Sequence, residues 1–158
     1  MRLEPIYFTS LLFTALSLAP GLAHLFALPN KIGLDANDYL TVQQIYRGWA
    51  LLGILLVLAL ASNLALAIMT RNGKPYFILN GTAFVCMVLN LIIFFSFTFP
   101  ANLQTNNWTM LPDNWKQLRV QWEYSHAINA CLSLIALIVL IISVVKGMTS
   151  RLSIDITH

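Results

Sequence analysis

Charge is what this sequence has least of. Of its 158 residues, 9% are charged and 58% hydrophobic. A soluble domain carries roughly 25% charged residues, so a water-solvated globule is excluded. The only glutamates are Glu4 and Glu123. A carboxylate-bridged di-iron bundle takes a glutamate from every helix, two of them in Glu-x-x-His pairs. No such centre can form within one chain. The nine Lys and Arg never cluster into a run, and the net charge is only +3. Nucleic acid is therefore not an expected partner. The two cysteines, Cys86 and Cys131, have no CxxC spacing. Each lies inside an apolar run and reads as a small packing residue. Repeats, low-complexity tracts and long linkers are also missing, so residues 1–158 read as a single domain.

What the chain does have is four long apolar runs, with spans expected at about residues 6–28, 47–69, 76–99 and 124–146. Crossing about 30 Å of hydrocarbon takes about 20 helical residues. Membrane β-strands are shorter and alternate in polarity, which these runs do not. The first run exceeds a typical signal-peptide core and reads as a retained helix. Short connections favour antiparallel neighbours. The expected fold is all-α: an integral-membrane four-helix bundle, up-down-up-down.

Lys and Arg in short loops set membrane orientation. Arg2, Arg71, Lys74, Lys146 and Arg151 fall on one side, against Lys31, Arg47, Lys116 and Arg119 on the other. The slight bias puts both termini in the cytoplasm of a multi-pass protein of the cell (inner) membrane. The expected partners are membrane lipids, a lipophilic small molecule, and either further copies of the chain or a larger membrane complex.

The two exterior segments carry helix signals. Asp35 or Asn37 suits an N-cap for a helix running through Tyr39, Val42 and Tyr46 into the second span. Pro100 opens the other exterior segment, and Pro112-Asp113 suits the start of the fourth helix. The second and fourth helices should thus extend into a small exterior cap. Trp49, Trp108, Trp115, Trp122 and Tyr124 suit an interfacial aromatic belt.

On the first helix, Tyr7, Ser10, Thr14, Ser17, Gly21 and His24 recur at spacings of three and four, which is one helix face. Small and hydroxyl residues there permit close packing and interhelical hydrogen bonds. Pro20 stands four before His24 and can open the helix locally. On the fourth helix, Arg119, Glu123 and His126 share a face with Ala130 and Ser133. Antiparallel helices bring His24 and His126 to similar depth. Ionisable groups at membrane depth are functional candidates by default.

Two chemistries remain open for that pair. In one, the site is free of metal: His126 or His24 acts as a general base near neutral pH, oriented by Glu123. Arg119 or Tyr46 then stabilises oxyanion charge. In the other, His24, His126 and Glu123 ligate a single transition metal, or the two histidines ligate a haem. The bland alternative pairs Glu123 with Arg119, four residues away. Gln43, Tyr46 and Arg47 lie at the same level and suit a polar wall above an apolar pocket. Asn63 and Asn90, mid-span amides, read as interhelical glue.

Four strings together resemble a known family: residues 24–31 (HLFALPNK), 42–47 (VQQIYR), 100–102 (PAN) and 119–126 (RVQWEYSH). They are similar to the anthrone oxygenase-like family of small four-span membrane proteins, along nearly the whole chain. Enzymes of its fungal branch oxidise an activated methylene of a polycyclic phenol to a quinone with dioxygen, and no bound cofactor is firmly established for them. The resemblance implies an oxidoreductase acting on a lipophilic phenol or quinone. It places Pro100, Asn102 and Trp122 in the most widely shared part, with Asn102 and Trp122 on the substrate side. Two features depart from the fungal pattern. Gln121 stands where many members carry arginine, and fungal members often lack a histidine at the position of His126. The alternative is a non-catalytic membrane subunit or lipid-binding module.

Overall fold

The structure, a computed structural model, describes the backbone of residues 3–156 and the side chains of residues 3–149. Arg2 and the side chain of Arg151, used above in the charge count, lie outside the described residues. No strand occurs among the described residues. Helix α1 covers Glu4–Lys31, α2 Ala36–Gln43, α3 Gly53–Met69, α4 Lys74–Ile93, α5 Phe99–Gln104 and α6 Trp115–Ile156. Four helical stretches are long and apolar enough to cross a membrane: Glu4–Lys31, Trp49–Met69, Lys74–Gln104 and Trp115–Thr149.

The four long helices form a closed bundle in which α1 packs on α3 and α6, and α4 packs on the same two. Side-chain pairing fixes the directions. Tyr7 meets Ser143 while His24 meets His126, so α1 and α6 run antiparallel. Thr14 meets Asn63, and Asn80 joins Tyr7 to Thr70, so α1 and α3 also run antiparallel. The order is up-down-up-down.

Burial is the reverse of a soluble bundle. Large apolar residues such as Phe8, Ile54, Val85 and Ile141 are exposed on the outer surface. The interior holds small and polar groups, including Ser10, Thr14, Asn63, Asn80 and Ser143. Lipid already solvates apolar side chains, so packing and polar contacts hold the helices together. One apolar cluster, built on Leu66, Met87, Ala136 and Leu140, fills the centre. Cys86 is buried and Cys131 exposed, and both are free thiols.

Three expected boundaries move, each for a stated reason. The first helix does not stop at residue 28; α1 runs on through Pro29 to Lys31. The carbonyl that Pro29 leaves unbonded lies within the last turns, where the loss is least. Pro100 likewise does not open the exterior segment. A π-helical stretch, Phe94–Thr98, precedes it and Pro100 falls in the first turn of α5, where its missing N–H is tolerated. Gln121 Nε2 donates to the Phe97 carbonyl inside that widened turn at 2.8 Å. The second helix is not continuous from cap to membrane. Asp35 does cap α2, accepting from the Asp38 amide at 2.9 Å. Gly48, at φ 85°, then breaks the chain between two short 3₁₀ turns before α3 begins. Such a left-handed conformation favours glycine.

The cap has its own core of Tyr39, Ala101, Trp108, Leu118 and Trp122. The loop that inserts Trp108 turns left-handed at Asn106, Asn107 and Trp108, with φ of 47°, 55° and 59°. The Thr105 hydroxyl steadies it by accepting from the Trp108 amide at 3.1 Å.

Candidate functional site

The polar face of α1 carries the site. His24 lies at the end of the stripe, and Lys31 sits seven residues further along the same face. Both are buried. At this level α6 presents Glu123 and His126, three apart and therefore side by side on the helix. The cap supplies Tyr39 and Gln43 from α2, and the broken segment before α3 supplies Tyr46 and Trp49.

The histidines stack. Their ring centroids are 4.1 Å apart and their planes 22° from parallel. Tyr46 lies 4.2 Å from His24, and Trp122 lies 4.9 Å from it, edge to face. Trp49 closes another side at 5.6 Å. Trp122 also lies 4.3 Å from His126. Its indole N–H donates to Asn102 Oδ1 at 2.7 Å, which fixes the ring from behind. His24 Nδ1 is buried and has no hydrogen-bond partner in the protein. His126 is half-buried.

Glu123 belongs to a second cluster directly above. It is fully buried. Oε2 pairs with Lys31 Nζ at 2.9 Å. Oε1 accepts from the Tyr39 hydroxyl at 2.9 Å and from Gln43 Nε2 at 3.4 Å. The Lys31 ammonium also lies 4.6 Å from the Tyr46 ring centre and 5.3 Å from that of Trp122, in cation–π range. Burial and the neighbouring Glu123 carboxylate push the Tyr39 hydroxyl well above its ordinary value. It therefore remains a proton donor to Glu123 at any ordinary pH.

The structure thus gathers His24, His126, Tyr46, Trp122, Glu123 and Gln43. It separates others. Arg47 is exposed at the Gly48 break and lines no polar wall. Arg119 does not form the i,i+4 pair with Glu123. Its Nη1 donates to the Leu34 carbonyl at 2.6 Å, and its guanidinium lies 4.7 Å from the Trp115 ring centre. That geometry clamps the cap and leaves Arg119 away from any oxyanion position. Glu123 does not orient His126, because Lys31, Tyr39 and Gln43 take its oxygens.

The metal and haem expectations also fail on geometry. Among the described residues no group of three or more His, Cys, Asp or Glu side chains converges on a point. A metal sits in the plane of an imidazole, about 2.0–2.1 Å along the nitrogen lone pair. Neither one metal nor a haem iron fits between faces 4.1 Å apart.

Lys31, Tyr39 and Trp49 complete the site but were not among the candidates read from the sequence. Lys31 was visible in principle: the three-and-four stripe extends through Leu28 to it. Ending the first span at residue 28 leaves that continuation out. Comparison with protein-family models, with curated proteins and with solved structures gives no match.

Proposed function

We propose that this membrane protein is an oxidoreductase of the anthrone oxygenase-like kind, acting on a lipophilic phenol or quinone-type molecule at its capped end. The observation that carries the reading is the His24–His126 stack, enclosed by Tyr46, Trp49 and Trp122, with a buried His24 nitrogen left unpartnered. Packing alone gives no reason to bury two imidazoles at membrane depth. Flat aromatic walls suit a planar ring system, which enters from the bilayer.

His126, the more accessible of the two, takes a proton from the activated methylene or the phenol. Tyr46 donates to the oxyanion that results. Dioxygen is the oxidant, so one methylene and one O₂ give one carbonyl and one water. The Glu123–Lys31 pair takes no part in the proton transfer; it holds the cap over the site. The cap faces away from the cytoplasm in the inner-membrane orientation proposed from the loop charges.

A specific observation supports a second reading. The contacts from Lys31, Tyr39 and Gln43 tie Glu123 so firmly to its neighbours that the capped end also suits a rigid, non-catalytic membrane subunit. Oxygen uptake and quinone absorbance separate the two. Protein in lipid nanodiscs, given an anthrone or an alkyl hydroquinone, should consume oxygen, and His126→Ala should abolish uptake while leaving the bundle folded. An inert wild type favours the subunit; full activity in His126→Ala removes the histidine from the mechanism.

A further inference from the structure

The polar face of α1 does not stop at the histidines. From His24 to Tyr7 is 17 residues, or about 25 Å at about 1.5 Å per residue, most of a bilayer's hydrocarbon thickness. Polar groups from other helices meet this face at successive depths. Tyr7 bonds Ser143 at 2.9 Å and accepts from Asn80 at 3.2 Å. Thr14 accepts from Asn63 Nδ2 at 3.0 Å. Antiparallel register sets Ser17 opposite Ser133, and Gly21 beside Ala130, one residue on from Asn129. Counted as helical rise along α1 and α6, successive polar levels are about 6 Å apart or less, roughly one helical turn.

A small-residue stripe alone would be a packing face. Here almost every level also leaves a buried polar atom without a partner in the protein: Asn80 Oδ1, Ser10 Oγ, Asn63 Oδ1, Asn129 Oδ1 and His24 Nδ1. Ser10, Asn63 and Asn80 are 0% exposed, and His24 is 4% exposed. Buried polar groups find partners, and internal water is the usual one where protein supplies none. Each of these amide oxygens accepts a hydrogen bond from a water O–H, and the hydroxyl and imidazole can donate or accept. The apolar cluster of Leu66, Met87 and Leu140, with Ile6, Tyr7, Leu11 and Phe13 of α1 packed against it, borders these polar levels.

We propose that α1 and its neighbours hold a file of internal waters from Tyr7 and Asn80 to His24, and that it carries protons between the histidine pair and the uncapped end of the bundle. At the capped end the Lys31–Glu123 ion pair, 2.9 Å apart, joins α1 to α6, so the file's proposed opening is the other end. In each transfer an imidazolium N–H passes its proton to a water, and that water passes one of its own to the next. No oxidant or reductant is required, so the proposal stands apart from the oxidation chemistry above.

Water-edited solid-state NMR of the protein in lipid bilayers tests it without any substrate. Polarisation from water should reach the side-chain amides of Asn63, Asn80 and Asn129 and the His24 ring. The rates should be close to that of exposed Asn37 and several-fold faster than for the Met87 methyl. In Asn63→Leu, transfer to Asn80 should persist while transfer to His24 falls several-fold. If the wild-type amides are as dry as Met87, the file does not exist. If His24 stays as wet in Asn63→Leu as in wild type, water reaches it from the cap and the path is wrong.

Discussion

Lys31 Nζ lies 2.9 Å from Glu123 Oε2, with the two side chains 3% and 0% exposed. The pair joins the last turn of α1 to the middle of the capped part of α6. Removing one member of a buried pair strands the other charge, at about 3–5 kcal/mol, whereas replacing both with apolar groups can be nearly neutral. Lys31→Met and Glu123→Leu should each lower the unfolding temperature sharply, and the double variant should recover much of the loss. Thermal unfolding in detergent measures this. Additive losses in the double variant would show that the two charges are not coupled.

Tyr39 supports the same carboxylate. A hydrogen bond to a charged group contributes about 1.5–3 kcal/mol, so Tyr39→Phe should destabilise by about that amount. The pH dependence has a definite sign. Folding raises the Tyr39 value above the unfolded one, which is about 10. The stabilisation is therefore complete below about pH 10 and declines as pH rises beyond it. The gap in melting temperature between wild type and Tyr39→Phe should begin to narrow above about pH 10. A difference that stays constant to pH 11 would contradict the buried bond.

Gly21 tests the helix contact that sets the histidine spacing. A Cβ there would lie 3.3 Å from the Ala130 Cα and Cβ. Gly21→Ala asks for a shift of a few tenths of an ångström and should be mild. Gly21→Leu should force α1 and α6 apart one turn from the His24–His126 stack, at about 1–3 kcal/mol for overpacking. Unfolding temperatures across Gly21→Ala and Gly21→Leu check the order. Equal stability of the two would mean that the helices are not held in close contact at this level.

Much of this could be read from residue order, and the failures have physical causes. Run length alone locates four spans, because the bilayer sets a helix length. Counting residues back from each connection brings His24 and His126 to one depth, and their spacing to Ser133 and Tyr7 puts them on polar faces. Helix rotation is the missing quantity. The i,i+4 spacing of Arg119 and Glu123 permits a pair, but Lys31 approaches Glu123 from another helix and Arg119 turns to the Leu34 carbonyl. Local rules place prolines at helix ends, which favours boundaries next to Pro29 and Pro100. Here the helix termination of α1 and the π stretch before α5 absorb them. Gly48 was not read as a break, since only its backbone angle reveals one.

Photoaffinity labelling tests the central claim most directly. An alkyl phenol bearing a diazirine, irradiated with the protein in nanodiscs and mapped by mass spectrometry, should mark Tyr46, Trp49 and His126. Excess unlabelled phenol should suppress that labelling, and His24→Ala should weaken it. Adducts scattered over lipid-facing residues such as Phe8, Ile54 and Ile141, unaffected by competitor, would show that the histidine stack is no binding site.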